Sequence, residues 1–193
     1  MVTVPKSADT IATGESLTVS AWFRVDAFDG GNWQALIAHG EGSDWRIARQ
    51  NGASTLAYAG GTGDLGGGTN GPDVLTGSLW HHVVAITEHD VSTRIWIDGA
   101  LIGTSGSAPN LANDTRATDL LIGGNQQPGG DFRGWNGGID DVALWNRPLS
   151  ESEIGLIYNS GQLGTSLGAI TVPEPSSGLL GFLGLALIAR RRR

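Results

Sequence analysis

The chain has 193 residues and a formal charge of −7, and its four C-terminal arginines mask a stronger imbalance: residues 1–189 hold eight Lys and Arg against 19 Asp and Glu. A surface of that sign repels phosphate backbones, which excludes nucleic acid as a partner. Cysteine is absent, which excludes disulfide staples, thiol catalysis and thiolate metal sites, and 31 glycines without a repeating period point to a loop-rich β protein, not to collagen.

Along the chain, short stretches alternate with period two, the mark of half-buried strands. Leu17, Val19, Ala21, Phe23 and Val25 share one face, and Thr18, Ser20, Trp22 and Arg24 share the other. Further strands are predicted at Gln34 to His39, Trp45 to Arg49, Thr55 to Ala59, Trp80 to Thr87, Thr93 to Ile97, Ala100 to Thr104, Leu120 to Gly123 and Gly138 to Trp145. Within Ile95 to Ile102, Asp98-Gly99 supplies the two positive φ angles of a type I′ hairpin turn. Gly60 to Gly71 reads as a flexible loop. Its Gly61-Thr62-Gly63-Asp64-Leu65-Gly66 matches the dinucleotide fingerprint, but the Gly-Pro run after it cannot begin the helix that receives a pyrophosphate.

One helix is predicted, about Glu151 to Tyr158. Ser150 and Glu153 are spaced as a capping box, Leu149 and Ile154 as a hydrophobic staple, and Gly161 as a stop. Ile154, Ile157 and Tyr158 form its apolar stripe. Many strands with one helix make a two-sheet antiparallel sandwich. Residues 1–161 are its expected extent and 162–172 a linker.

The C-terminus reads as an address. Pro173, Glu174 and Pro175 decouple the tail from the domain before it. An uncharged apolar run, Gly178 to Ala189, then leads to Arg190, Arg191, Arg192 and Arg193, which favour the cytoplasmic side. The run is short for the roughly 20 residues that a permanent span needs. This order resembles the PEP-CTERM sorting signal of Gram-negative bacteria over residues 173–193. The resemblance implies an exosortase-like processing enzyme as partner, transient anchoring in the inner membrane through the C-terminal helix, and delivery to the cell surface or extracellular matrix. An exported chain needs an N-terminal signal peptide; none precedes Met1, so Met1 is not expected to be the true start.

Four segments carry a second resemblance: Leu17-Thr18-Val19-Ser20-Ala21-Trp22-Phe23, Trp80-His81-His82-Val83-Val84, Ile95-Trp96-Ile97-Asp98-Gly99, and Gly138-Ile139-Asp140-Asp141-Val142-Ala143-Leu144-Trp145-Asn146-Arg147-Pro148-Leu149-Ser150. Their order is similar to that of laminin-G-like domains of the concanavalin A-like superfamily. The resemblance implies a jelly-roll sandwich and a binding or structural module whose ligand is a glycan or a matrix protein. Calcium is the one cofactor it implies, with Asp140 as the metal-ligand candidate because relatives use an Asp on the last strand with loop carbonyls.

Trp22, Trp80, Trp96 and Trp145 fall in predicted strands and read as packing residues. Trp33, Trp45 and Trp135 lie in or beside Gly-rich segments, where exposure is expected; flat indoles stack on sugar rings, so these three are the ligand-contact candidates. His81 and His82 should point to opposite faces and cannot chelate one ion together. No nucleophile elbow is present. Glu88-His89-Asp90-Val91 resembles the paired-carboxylate motif of jelly-roll glycosidases, but Thr93 stands where the second Glu belongs, so no catalytic residue is assigned.

Overall fold

The structure, a computed structural model, describes residues 1–5, 16–28, 33–40, 45–61, 64–66, 73–106, 111, 119–125 and 133–172. The sorting segment 173–193 and much of the 60–71 loop lie outside these. Eleven strands are present among the described residues: β1 (Val2–Val4), β2 (Leu17–Phe23), β3 (Ala35–His39), β4 (Trp45–Arg49), β5 (Leu56–Gly60), β6 (Leu65–Gly66), β7 (His81–Glu88), β8 (Ser92–Ile97), β9 (Ala100–Ser105), β10 (Leu120–Ile122) and β11 (Ile139–Trp145). They form a six-stranded sheet in the order β1-β10-β3-β4-β5-β6 and a five-stranded sheet in the order β11-β2-β7-β8-β9. Every pairing is antiparallel, which makes the domain an antiparallel jelly-roll β-sandwich. The short β6 lies inside the stretch expected to be all loop, because Leu65 pairs with Tyr58.

Alternation decides what each sheet buries. Val19, Ala21 and Phe23 of β2, Val83 and Ala85 of β7, and Ile95 and Ile97 of β8 meet Ile37, Trp45, Ile47, Leu56, Tyr58 and Leu120 of the six-stranded sheet in one core. A polar tie crosses that core. Thr87 Oγ1 donates to the Gly60 carbonyl at 3.0 Å, so the Tyr58 hydroxyl is the donor in its 2.7 Å bond to Thr87 Oγ1. Burial pushes the Tyr58 phenol well above its usual pKa. A side chain at Gly60 would collide with both Tyr58 and Thr87, so glycine is required there.

The five-stranded sheet is buried over much of its outer face too. Register places Thr18, Ser20 and Trp22 beside Ile86, Val84 and His82, with Trp96 opposite Val84 and Trp145 opposite Thr18. That is why β7 reads as a nearly continuous buried run rather than a clean alternation. Trp22, Trp96 and Trp145 therefore lie on the outer face of one sheet, whereas Trp45 of β4 belongs to the core between the sheets.

The chain divides into two compact units, Met1–Ser150 and Glu151–Arg193. The second opens with α1 (Glu151–Gln162), whose first turn carries Glu151 and Glu153 at the positive end of the helix dipole and which buries Ile154 and Ile157. The helix runs four residues past its expected end. Gly164, not Gly161, takes the left-handed position (φ +74°), with Thr165 N–H bonded to the Ser160 carbonyl at 3.0 Å and Gly164 N–H to the Gly161 carbonyl at 2.9 Å, a Schellman stop. A 3-10 turn, Leu167–Ala169, comes next within the predicted linker.

Candidate functional site

The site grows from the end of the five-stranded sheet. Phe23 is in register with His81 on one side and Ile139 on the other. One residue further along, the same row runs Gly138, Arg24, Trp80, and Arg24 N–H donates to the Gly138 carbonyl at 2.9 Å. Alternation puts this row on the outer face.

Residues 133–138 are docked along Arg24 to Ala27 to build the row. Asp26 N–H reaches the Asn136 carbonyl at 3.0 Å, and Trp135 Nε1–H donates to the Arg24 carbonyl at 3.1 Å. The Trp135 indole meets Phe23 and Phe28 edge-on, each at 5.9 Å between centroids, geometry that aromatic quadrupoles favour. At Gly137 any side chain would strike the Arg24 carbonyl. At Gly138 it would come within 2.7 Å of the Trp80 ring, so the benzo edge of that indole occupies the space glycine leaves.

Trp80 is thus pinned at one edge and remains 44% exposed. The Arg24 guanidinium sits 5.5 Å from its centroid, and Arg24 Nε pairs with Asp26 at 3.0 Å. A rigid indole beside a charged donor and acceptor pair can stack on the apolar C–H face of a sugar while flanking groups bond its hydroxyls.

The next row inward is Asp140, Trp22, His82. His82 is buried, its ring 5.1 Å from Trp22 and its Nε2 2.8 Å from Ser20 Oγ. Burial lowers its pKa to about 4, against a smaller opposing pull from Asp98, which keeps the imidazole neutral. His81 faces the other way, onto Phe23, with Nδ1 2.7 Å from Asp98 Oδ2. The two adjacent histidines do separate to opposite faces.

The ligand-contact candidates divide. Trp45 is a correction: it is 2% exposed, because two residues along β4 it shares the inward face of Ile47, and it stacks on His39 at 6.1 Å. Trp135 is half-buried, with its indole turned to Phe23, Phe28 and the Arg24 carbonyl and packed against the core. Trp33 is half-buried with φ +63°, an outlier for a bulky residue, and carries the Arg46 guanidinium 5.0 Å from its ring; Arg46 in turn pairs with Asp64 at 3.2 Å.

Asp140 is exposed, and its Oδ1 accepts the Asp141 N–H at 2.8 Å across a β-bulge between Asp140 and Ala143. No group of three or more His, Asp or Glu among the described residues is placed to hold a metal ion. Glu88 ends β7, faces Ser92 across the hairpin and pairs with Arg94. Pro173, Glu174, Pro175, Arg190, Arg191, Arg192 and Arg193 lie outside the described residues.

The sequence reading missed Trp80, Arg24 and the paired glycines. Arg24 and Trp80 each lie one step beyond the Phe23 and His81 pair, a register that no local sequence pattern states.

The sandwich is matched over residues 2–155 by the family model for the Concanavalin A-like lectin/glucanases superfamily, and the chain belongs to that superfamily. Residues 171–193 match the PEP-CTERM protein-sorting motif, which marks the chain for export. No helix among the described residues is long and apolar enough to cross a membrane. A search of curated protein sequences finds no match.

Among solved structures, a Bacteroides ovatus protein named as a candidate carbohydrate binding protein aligns with a TM-score of 0.60 at 18% identity, over 78% of this chain and 42% of its own. The binding domain of Paraclostridial Mosquitocidal Protein 1 aligns with a TM-score of 0.60 at 17% identity, over 82% and 40%. This chain therefore spans about two fifths of the length of both. The Ruminococcus gnavus sialidase module CBM40, bound to α2,3 sialyllactose, aligns with a TM-score of 0.57 at 15% identity, over 81% of this chain and 96% of the module. At these identities the likeness is one of fold.

Proposed function

We propose that the sandwich is a glycan-binding module displayed outside the cell, not an enzyme, and that the Trp80 platform is its contact surface. The observation that carries this reading is the exposure of Trp80, whose ring lies against Gly138 and beside the Arg24 guanidinium. A purely structural wall domain has no need of such a fixture. Binding neighbours of the same fold, among them one bound to a sialylated sugar, support the glycan class. The sorting motif supports delivery by an exosortase-like enzyme, with residues 173–193 as a transient inner-membrane anchor and the surface or matrix of a Gram-negative-type bacterium as destination.

The test is a glycan array and a matrix-protein panel probed with the full chain, its Trp80→Ala variant and its Trp33→Ala variant. Glycan binding that drops at least ten-fold in Trp80→Ala, with an unchanged melting temperature, is expected. Loss with Trp33→Ala alone moves the site to the Arg46 and Asp64 side, and binding confined to proteins sinks the glycan reading.

A further inference from the structure

Resting on that reading, we infer that the platform selects glycans without acidic groups, taking neutral sugars and binding free amino sugars best at low salt. The charge that surrounds Trp80 sets this preference. Arg24 is the cation beside Trp80, and one edge of its guanidinium is already held by Asp26, through Nε at 3.0 Å and Nη2 at 3.2 Å. A sugar carboxylate would therefore meet a cation whose charge Asp26 already offsets, with only the Nη1 and outer Nη2 hydrogens left to receive it.

Three further carboxylates lie close by in the fold. Asp140 is exposed in the adjoining row, opposite Trp22, and Asp141 is its neighbour in the bulge. Asp98 holds the backbone of His82 and the ring of His81, the two residues after Trp80. Asp26 thus pairs with Arg24, and Asp98, Asp140 and Asp141 add negative charge at neighbouring positions in the fold. Arg133 stands at the far end of the docked segment, where its carbonyl is bonded to Ala35 of the other sheet. The wider surface has the same sign, with 19 acidic residues against eight basic ones before the terminal arginines. Such a field lowers the local concentration of anions and raises that of cations.

At low salt the effect on a singly charged sugar is about ten-fold in affinity, and it shrinks to about two-fold once the Debye length falls below the spacing of the groups. The decisive measurement uses an array that prints each glycan backbone in neutral, amino and acid forms, probed with the full chain at low and high NaCl. We expect the order amino, neutral, acid at low salt, convergence at high salt, and a two- to three-fold gain for acid forms in Asp140→Asn.

A preference for acid forms overturns the inference while leaving the glycan reading intact. Binding that survives Trp80→Ala overturns the site, and with it the selectivity argued from its neighbours. An array with no bound glycan overturns the underlying reading, and the inference falls with it.

Discussion

Asp98 and His82 hold each other by a reciprocal pair of bonds: the Asp98 N–H donates to the His82 carbonyl at 2.8 Å, and Asp98 Oδ1 accepts the His82 N–H at 2.8 Å. The turn residue that reverses β8 into β9 therefore also fixes the start of β7, directly after Trp80. Asp98→Ala should lose about 1–3 kcal/mol, since it strands a donor and places alanine at φ +50°. Asp98→Asn keeps the acceptor and tolerates that φ, so it should lose less than half as much. Urea denaturation of the three proteins checks the order.

His82 makes stability depend on acid. Its folded pKa is depressed, chiefly by burial, to about 4. The unfolded imidazole protonates near 6.5, so between these values the unfolded chain binds more protons and stability falls as pH falls. The contribution is fully present above about pH 6.5 and disappears toward pH 4, a loss of about 3 kcal/mol. His82→Gln should flatten the fall in that window. An unchanged slope in the variant would assign the acid sensitivity elsewhere.

The paired glycines should separate support from recognition. Gly137→Ala drives a methyl into the Arg24 carbonyl and should cost roughly 3 kcal/mol or more. Gly138→Ala meets only the movable edge of the Trp80 ring, and should cost about 1 kcal/mol while displacing the indole. Denaturation should resolve the first effect, and a change in tryptophan fluorescence with weakened glycan binding the second.

Asp140 has two roles to distinguish. As the acceptor for Asp141 N–H it closes the bulge, so Asp140→Ala should cost about 1 kcal/mol in EDTA whereas Asp140→Asn should be nearly neutral. As a calcium ligand it would raise the parent's melting temperature on calcium addition, an increment both variants would lose. A parent protein indifferent to calcium rules out the second role.

The tail should be absent from the mature protein. Mass spectrometry of material from the native host is expected to end before Arg190; an intact terminus would mean that the sorting motif is read without cleavage.

Most strands were legible because burial on one face imposes period two, and Asp98-Gly99 marked its hairpin without help from tertiary contacts. The features that escaped were set by encounters between distant segments. Strict period two would put Asp140 and Val142 on one face, but the bulge sets two residues against Ala21, so Asp140 and Ala143 share the outer side. Trp45 and Trp135 looked exposed because glycines surround them. Their burial was decided by His39, Phe23 and Phe28, which no local pattern names. Trp80 read as packing for the same reason in reverse: its support, Gly138, lies 58 positions away.

The bond between Tyr58 and Thr87 gives the molecule a built-in optical gauge. The chain has two tyrosines, and Tyr58 is the one sealed between the sheets, its hydroxyl spent on Thr87 and its phenolate disfavoured by burial. In strong base its ultraviolet absorbance cannot follow the hydroxide concentration directly; it has to wait for the sheets to part. The time course of that absorbance after a jump to alkaline pH is therefore a clock for the opening of the sandwich, readable without a label.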